Sequence, residues 1–313
     1  MSGSRADIHD NSGWVGARPE LSVLIPFLGD DPEPLLRRLD TEGAAIAGRV
    51  ELILLDDGTG DAALTARLKA TLDALALPAR LVTLSANEGR ARGRNRLTIA
   101  ARAGSWLFLD SDMKPDSPRF LQTWIELIAR DDPAVAFGGF SLKQAPRDRR
   151  FAVHRSLSSA SECVRAAQRA RTPEKYVYTS NLLVRRDVFA VESFDPGFTG
   201  WGWEDVEWAM RVARRFQVVH IDNPATHMGL DTVPDLARKF DQGAGNFARV
   251  VALHPEIVQT YPSYKAARAL KRLPSLPLIR RLARGAALSP LLPTRTRAFA
   301  LRLYRAAVYA DTI

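Results

Sequence analysis

The chain has 313 residues, 46% of them hydrophobic, enough for one large α/β core with an appendage or for two small domains. Its single cysteine, Cys163, excludes an internal disulfide and suits a reducing compartment, and there is no Cys/His cluster of the metal-binding kind. The net charge of +9 sits at one end: residues 262–313 hold eleven Lys or Arg against one acid, Asp311, so the body before them is nearly neutral and offers no broad nucleic-acid-binding surface.

No stretch reaches the length of an apolar membrane-spanning helix, and the N-terminus lacks the apolar core of a signal peptide. Residues 1–19 carry Ser, Gly and Asp and are expected to form a flexible leader. Leu21–Phe27 is a short apolar run closed by Pro26 and Gly29, the pattern of a buried first strand. A helix is predicted from Pro34 to about Ala47. Val50–Leu55 reads as a second buried strand ending at Asp56-Asp57-Gly58, followed by a helix over Ala62–Leu75. Arg80–Leu84 is a third strand, followed by Asn87-Glu88-Gly89 and a helix to about Ala103. Ser105–Leu109 is a fourth, delivering Asp110-Ser111-Asp112. Later strands are expected at Leu182–Val184, after Thr179-Ser180-Asn181, and at Val218–Ile221.

Strands alternating with helices of these lengths predict an α/β fold with a mostly parallel central sheet flanked by helices. Ligands of such sheets bind beyond the carboxyl ends of the strands. Asp56/Asp57, Asn87/Gly89 and Asp110/Asp112 all fall there, so three segments converge on one edge. A second acidic site lies downstream. The loop Gly200-Trp201-Gly202-Trp203 runs into adjacent carboxylates, Glu204 and Asp205, at the start of a helix in which Glu207 and Arg211 pair at i,i+4. Acids at a helix start serve as caps and complement its dipole. They equally serve as catalytic groups, and the upstream Asp110/Asp112 site favours that reading.

Ser22-Val23-Leu24-Ile25-Pro26, Asp56-Asp57-Gly58-Thr59, Asn87-x-Gly89 with Arg94-Asn95, Asp110-x-Asp112 and the Trp-Gly-x-Glu-Asp loop occur in order. With them the chain resembles an inverting glycosyltransferase of family 2 with the GT-A fold. It is most similar to members sharing a Gly-x-Glu-Asp loop with galactosyltransferases and chondroitin-type polymerases. The likeness spans roughly Leu21 to Asp231. A lone Asp-x-Asp occurs by chance in many loops; the ordered set is specific.

The resemblance implies a residue-by-residue site. A nucleotide-diphosphate sugar, of UDP type, would be the donor, with Asp56, Asp57, Asn87, Gly89, Arg94 and Asp110 at the nucleotide. A divalent cation, Mn2+ or Mg2+, would neutralise the departing diphosphate. Asp112 is its expected direct ligand, Asp110 lies nearer the ribose or reaches the metal through water, and His227 is the candidate third ligand. Asp205 would be the base that takes the acceptor hydroxyl's proton, with Glu204 holding a sugar hydroxyl. Trp201 and Trp203 would stack on the faces of acceptor sugars. Trp208 sits at helical spacing and is expected in the core, His220 is expected to be structural, and His9, His154 and His254 have no assigned role.

Residues 20–255 are thus expected to form the catalytic domain and residues 256–313 a basic, amphipathic helical extension of two or three helices broken by Pro274, Pro277, Pro290 and Pro293. Such helices lie in the headgroup region of an anionic membrane or pack on the catalytic domain; the first reading gives a cytoplasmic protein held at the inner face of the plasma membrane. The acceptor would be a glycan or a lipid-linked saccharide, and nucleic acid is not an expected partner. Two alternatives differ in class: a catalytically inactive sugar- or membrane-binding scaffold of the same fold, and a nucleotidyltransferase, which wants a Gly-rich basic loop where this chain has Gly29-Asp30-Asp31-Pro32.

Overall fold

The computed structural model describes residues 4–46 and 48–313. Strand β1 (Ala6–Asp10) precedes β2 (Leu21–Phe27). Helices and strands then alternate through α1 (Glu33–Gly43), β3 (Val50–Asp56), α2 (Ala62–Asp73), β4 (Ala79–Leu84), α3 (Arg90–Ala100) and β5 (Ser105–Phe108). The middle of the chain adds β6 (Met113–Pro115), α4 (Phe120–Asp131), β7 (Val135–Phe137), β8 (Phe140–Ser141), α5 (Ala152–Ser161), α6 (Ala166–Arg169), β9 (Leu182–Arg185) and α7 (Arg186–Val191). Next come α8 (Glu204–Val212), β10 (Val218–His220), β11 (Ala225–His227) and α9 (Val233–Leu253). The chain closes with α10 (Pro255–Val258), α11 (Pro262–Lys271), α12 (Leu276–Leu288) and α13 (Thr294–Ala310). The predicted end of the first helix, Ala47, lies outside the described residues, as do residues 1–3.

The central sheet runs β1-β4-β3-β2-β5-β9-β7-β10, with β4, β3, β2 and β5 parallel. Leu21, Val23 and Ile25 of β2 and Val50, Leu52 and Leu54 of β3 pack with α1, α2 and α4. Leu24, Ile53 and Leu55 pack with α3, α7 and α8 on the other face. Strand side chains alternate between faces, and both faces here are covered, so the runs are apolar throughout instead of alternating.

The β2–β5 ladder ends at Leu24 and Phe108, whereas β2 stays paired with β3 out to Phe27 and Asp56. Beyond Leu24 the strand is therefore an edge on that side, where Pro26 and its missing N–H are tolerated. The departing chain carries Asp110–Asp112 outward and opens a crevice. A second, small sheet, β6-β11-β8, starts directly after Asp112: β11 runs antiparallel to β6 with His227 opposite Met113, the neighbour of Asp112.

The leader expected over residues 1–19 is corrected from Ser4 onward. Ala6–Asp10 pairs antiparallel with β4 and covers an edge that would otherwise present an open ladder. Asn11 then donates to the carbonyls of Leu72 and Leu77 at 3.0 and 2.9 Å and accepts from Ala79 N–H at 2.9 Å. Trp14 is buried beneath the guanidinium of Arg102, 3.7 Å from its ring centroid.

At the other end, α11, α12 and α13 share an apolar cluster with α9 built on Phe240, Phe247, Leu301, Tyr304 and Tyr309. The basic tail is thus packed on the body along one face. Its outer face leaves Leu278, Leu282, Leu291 and Phe299 exposed.

Candidate active site

The carboxyl ends of β2, β3 and β5 open into a cavity of about 400 Å3, within the range of small-ligand sites. Pro26, Asp57, Asn87, Gly89, Asp110 and Asp112 line it, so the strand-end segments do converge. Arg90 and Arg94 of α3 and Trp201 of the glycine loop complete the wall. A hollow of about 430 Å3 between α2 and β4 has only Asp61 and Lys69 as charged groups, and Asp61 is spent capping α2.

Asp57 braces this wall. Its two oxygens accept the Glu88 and Gly89 N–H groups at 2.8 and 3.0 Å, fixing the loop from which α3 starts. Burial raises its carboxyl above the usual carboxylate range. Asp56 is not brought to the cavity. It is buried and accepts the Thr59 N–H at 2.8 Å, which holds the Asp-Asp-Gly turn.

Asp112 and His227 meet across the β6–β11 pair, Oδ2 to Nε2 at 3.0 Å. Burial acts to raise Asp112, but the His227 hydrogen bond and charge outweigh it and hold the carboxyl low; the same pairing raises His227 against its own burial. A Cβ at Gly229 would stand 2.0 Å from Asp112 Oδ2, so a side chain there would displace the carboxylate from this position. Asp110 is turned elsewhere, accepting from Arg94 Nη2 at 2.9 Å. Among the described residues no three Asp, Glu, His or Cys converge as a ready metal set. The Asp112–His227 pair, one hard oxygen donor and one imidazole nitrogen, nevertheless suits a divalent ion such as Mn2+ whose remaining positions a ligand fills.

The adjacent acids are not equivalent. Glu204 is 2% exposed and accepts from Arg90 Nε at 2.5 Å and from Arg94 Nη1 at 3.3 Å. Burial opposes its charge, and the two guanidinium groups more than offset that, so its carboxyl is lowered. Asp205 has no cationic partner among the described residues; its one hydrogen bond is from Val206 N–H at 2.8 Å. Burial and the charge of Glu204 push it up to about 7. A chain of charges thus runs Asp110–Arg94–Glu204–Arg90, with Arg94 itself 2% exposed, and leaves Asp205 free at its end.

The two tryptophans of the loop also part ways. Trp201 lines the cavity, backed by Phe240 at 6.3 Å. Trp203 does not line the cavity; it is partly buried, its indole packs on Phe247 at 4.9 Å, and Nε1 donates to the Tyr309 hydroxyl at 3.1 Å. Trp208 is fully buried as expected, and His220 is structural, its ring bonded to Arg169 Nε and the Pro173 carbonyl at 3.1 Å each. Asn181 of Thr179-Ser180-Asn181 is also structural, tying the carbonyls of Gly139 and Asn223. His154 does more than expected: it accepts the Asp231 N–H at 2.7 Å and lies 5.9 Å from the His227 ring.

Three groups escaped the sequence reading. Arg90 stands four residues before Arg94, a spacing that puts both on one helix face and was legible as such. Asp30, in the loop after β2, lines the cavity and is raised by desolvation and the charge of Asp112. Asn246 of α9 donates to the carbonyls of Thr199 and Gly202 at 2.9 and 2.8 Å, a long-range contact that no local pattern announces.

Comparison with solved structures finds the same architecture elsewhere. The mannosyltransferase PcManGT from Pyrobaculum calidifontis, in complex with GDP-Man and Mn2+, matches with a TM-score of 0.58 at 19% identity, over 95% of this chain and 88% of that one. TarS residues 1–349 from S. aureus match with a TM-score of 0.53 at 15% identity, over 94% and 90% of the two chains. The same S. aureus protein in complex with UDP-GlcNAc gives 0.51 at 16%, over 91% and 89%. At these identities the likeness concerns the fold, which is the GT-A architecture. No curated protein matches the chain. Residues 22–191, more than half of the chain, match the model of Glycosyl transferase family 2, and the chain belongs to that family.

Proposed function

We propose that the chain transfers a hexosyl group from a nucleotide-diphosphate sugar, of UDP type, to a glycan or lipid-linked saccharide, with inversion at the anomeric carbon and dependence on a divalent cation. The observation that carries this reading is the asymmetry of the acid pair. Glu204 is fixed by two arginines, whereas Asp205 is unpaired and raised to about 7, where a general base exchanges protons most effectively. Inverting displacement needs one such base for the acceptor hydroxyl and no covalent nucleophile.

In this reading Asp57, Asn87 and Gly89 form the nucleotide side of the cavity, Arg94 orients Asp110 towards the ribose, and Trp201 offers an aromatic face to the acceptor sugar. Asp112 and His227 would hold Mn2+ or Mg2+, whose bound charge stabilises the departing diphosphate. Glu204, already held, positions a sugar hydroxyl, and Asp205 receives the acceptor's proton as the new glycosidic bond forms and the diphosphate leaves. Arg90, at the cavity wall, adds positive charge on the side of the leaving group.

Residues 20–255 are the catalytic unit on this account, and residues 256–313 bring it to an anionic membrane at its cytoplasmic face. Support for that comes from the outer face of the tail. Leu278 and Leu282 are exposed one turn apart on α12, and Arg295, Phe299 and Arg302 are exposed on one side of α13. Apolar anchors among arginines match an anionic headgroup layer. No helix among the described residues is long and apolar enough to cross a membrane.

A thermal-shift panel of UDP- and GDP-sugars with and without Mn2+, followed by product release from whichever donor stabilises the fold, tests the reading. A donor that binds only with metal and is hydrolysed or transferred supports it. Binding without any turnover would return the chain to the inactive-scaffold alternative.

A further inference from the structure

The loop that delivers Glu204 and Asp205 has a backbone it does not choose for itself. Gly200, Gly202 and Trp203 all have left-handed φ values, +72°, +81° and +77°. For the two glycines this is ordinary; for Trp203 it is a costly conformation for a residue with a Cβ. Trp203 is also the residue that caps α8, and it does so with no side-chain hydrogen bond to the helix. Nothing local therefore explains why the chain turns there in the way that presents Asp205.

The restraints come from outside. Asn246 of α9 gathers the carbonyls of Thr199 and Gly202. The indole of Trp203 is held against Phe247, which stacks on Tyr309 of α13 at 4.3 Å and 20° between rings. The Tyr309 hydroxyl, in a side chain only 2% exposed, accepts the Trp203 Nε1–H at 3.1 Å. Helix α13 is independently anchored to α9 by Tyr304, whose hydroxyl donates to Asp241 Oδ1 at 2.7 Å. Tyr309 thus sits on a fixed support and reaches the residue immediately before the acid pair.

We propose that Tyr309 is a positioning residue for the reaction: through Trp203 it holds the strained loop that sets the direction of Asp205, making the C-terminal helix α13 a working part of the active site. This rests on the assignment of Asp205 as base. It goes beyond that assignment by giving the basic extension a role in chemistry that is separate from membrane attachment.

The test is Tyr309→Phe, which removes one hydroxyl and keeps the ring stack. Hydrogen–deuterium exchange of residues 199–207 in the ligand-free chain is expected to rise, with a melting temperature close to wild type. Turnover of UDP-GlcNAc or GDP-mannose with Mn2+, whichever the wild type uses, should fall by roughly tenfold, the scale of one lost hydrogen bond expressed in a rate. Donor affinity should stay within about twofold of wild type. Trp203→Phe, which lacks the indole donor, should show the same exchange, and adding Tyr309→Phe to it should change nothing further. Unchanged exchange at 199–207 overturns the proposal whatever the enzyme does. Raised exchange with unaltered turnover also overturns it, since the loop would then be held for stability alone. A wild-type chain that turns over no donor would refute the functional reading instead, and the exchange result would still decide whether Tyr309 holds the loop.

Discussion

Arg90 reaches 114 residues along the chain to Glu204, Nε to Oε1 at 2.5 Å, and this contact is what separates two neighbouring acids into a fixed group and a free one. With Arg94 on the other side, Glu204 stays ionised although it is buried. Its retained charge lies one residue from Asp205 and, after burial, is the main reason that Asp205 keeps its proton to a higher pH.

The buried charge chain predicts a stability cost. Arg94→Met removes the guanidinium shared by Glu204 and Asp110 and leaves Glu204 with Arg90 alone. Breaking a buried pair on one side typically costs about 3–5 kcal/mol. Urea denaturation should show a loss of that order for Arg94→Met and a smaller one for the half-exposed Arg90→Gln. Equal, small losses for both would mean that Arg94 is not the keystone of the chain.

The acid pair also fixes a pH dependence. The Asp205 carboxyl, raised on folding to about 7 from an ordinary value of about 3.9, binds its proton more tightly in the fold than in the unfolded chain. Its contribution to stability is therefore fully present below the unfolded value and is lost as pH rises through about 7. Asp205→Asn should melt higher than wild type at pH 8, and the gap should close as pH is lowered toward 4. In the wild type, turnover should fall as pH drops through the same region, because the base becomes protonated. A gap that does not change with pH would place the Asp205 titration elsewhere.

The proposed metal dependence rests on the Asp112–His227 pair. Asp112→Ala or excess EDTA should abolish transfer and weaken UDP binding while the melting curve of the ligand-free chain stays cooperative. His227→Ala should weaken metal-dependent donor binding less than Asp112→Ala does, since imidazole supplies no charge. Full activity in EDTA would remove the ion from the account.

The outer face of the tail makes a prediction of its own. Because Leu301, Tyr304 and Tyr309 are buried against α9, deleting the tail would expose core, and substitution is the cleaner test. Leu282→Glu combined with Phe299→Glu should abolish flotation with liposomes rich in anionic lipid and leave donor binding unchanged. Flotation of the wild type should weaken with salt, as exposed charges are screened beyond about 8 Å at physiological ionic strength. No flotation of the wild type at any lipid composition would leave the arginines as a solvated face.

What the sequence disclosed and what it hid have physical causes. Buried parallel strands are continuous apolar runs, so β2, β3, β4 and β5 stood out, and with them the strand-end residues Asp57, Asp110 and Asp112. β1 did not, because an edge strand such as Ala6–Asp10 needs little hydrophobicity and its charged residues resemble a leader. The pairing of Asp112 with His227 could be anticipated only by resemblance, since it arises from a three-residue antiparallel contact across 115 positions. Asp56 and Trp203 looked interchangeable with Asp57 and Trp201 in the sequence. Their placements diverge because Asp56 still belongs to β3, where successive side chains point to opposite faces, and because Gly202 turns the backbone between the tryptophans, leaving Trp201 at the cavity and Trp203 on Phe247.

The most direct measurement is the turnover of Asp205→Asn against that of Glu204→Gln, with donor affinity recorded for both. Asparagine keeps the shape of Asp205 but cannot accept a proton, so turnover should drop by roughly 100-fold or more while donor affinity barely moves. Glu204→Gln, which disturbs Arg90 and Arg94, should cost stability and some donor affinity but less turnover. If Glu204→Gln were the more damaging to turnover, or if Asp205→Asn lost donor binding along with rate, Asp205 would not be the base and the account of this site would be wrong.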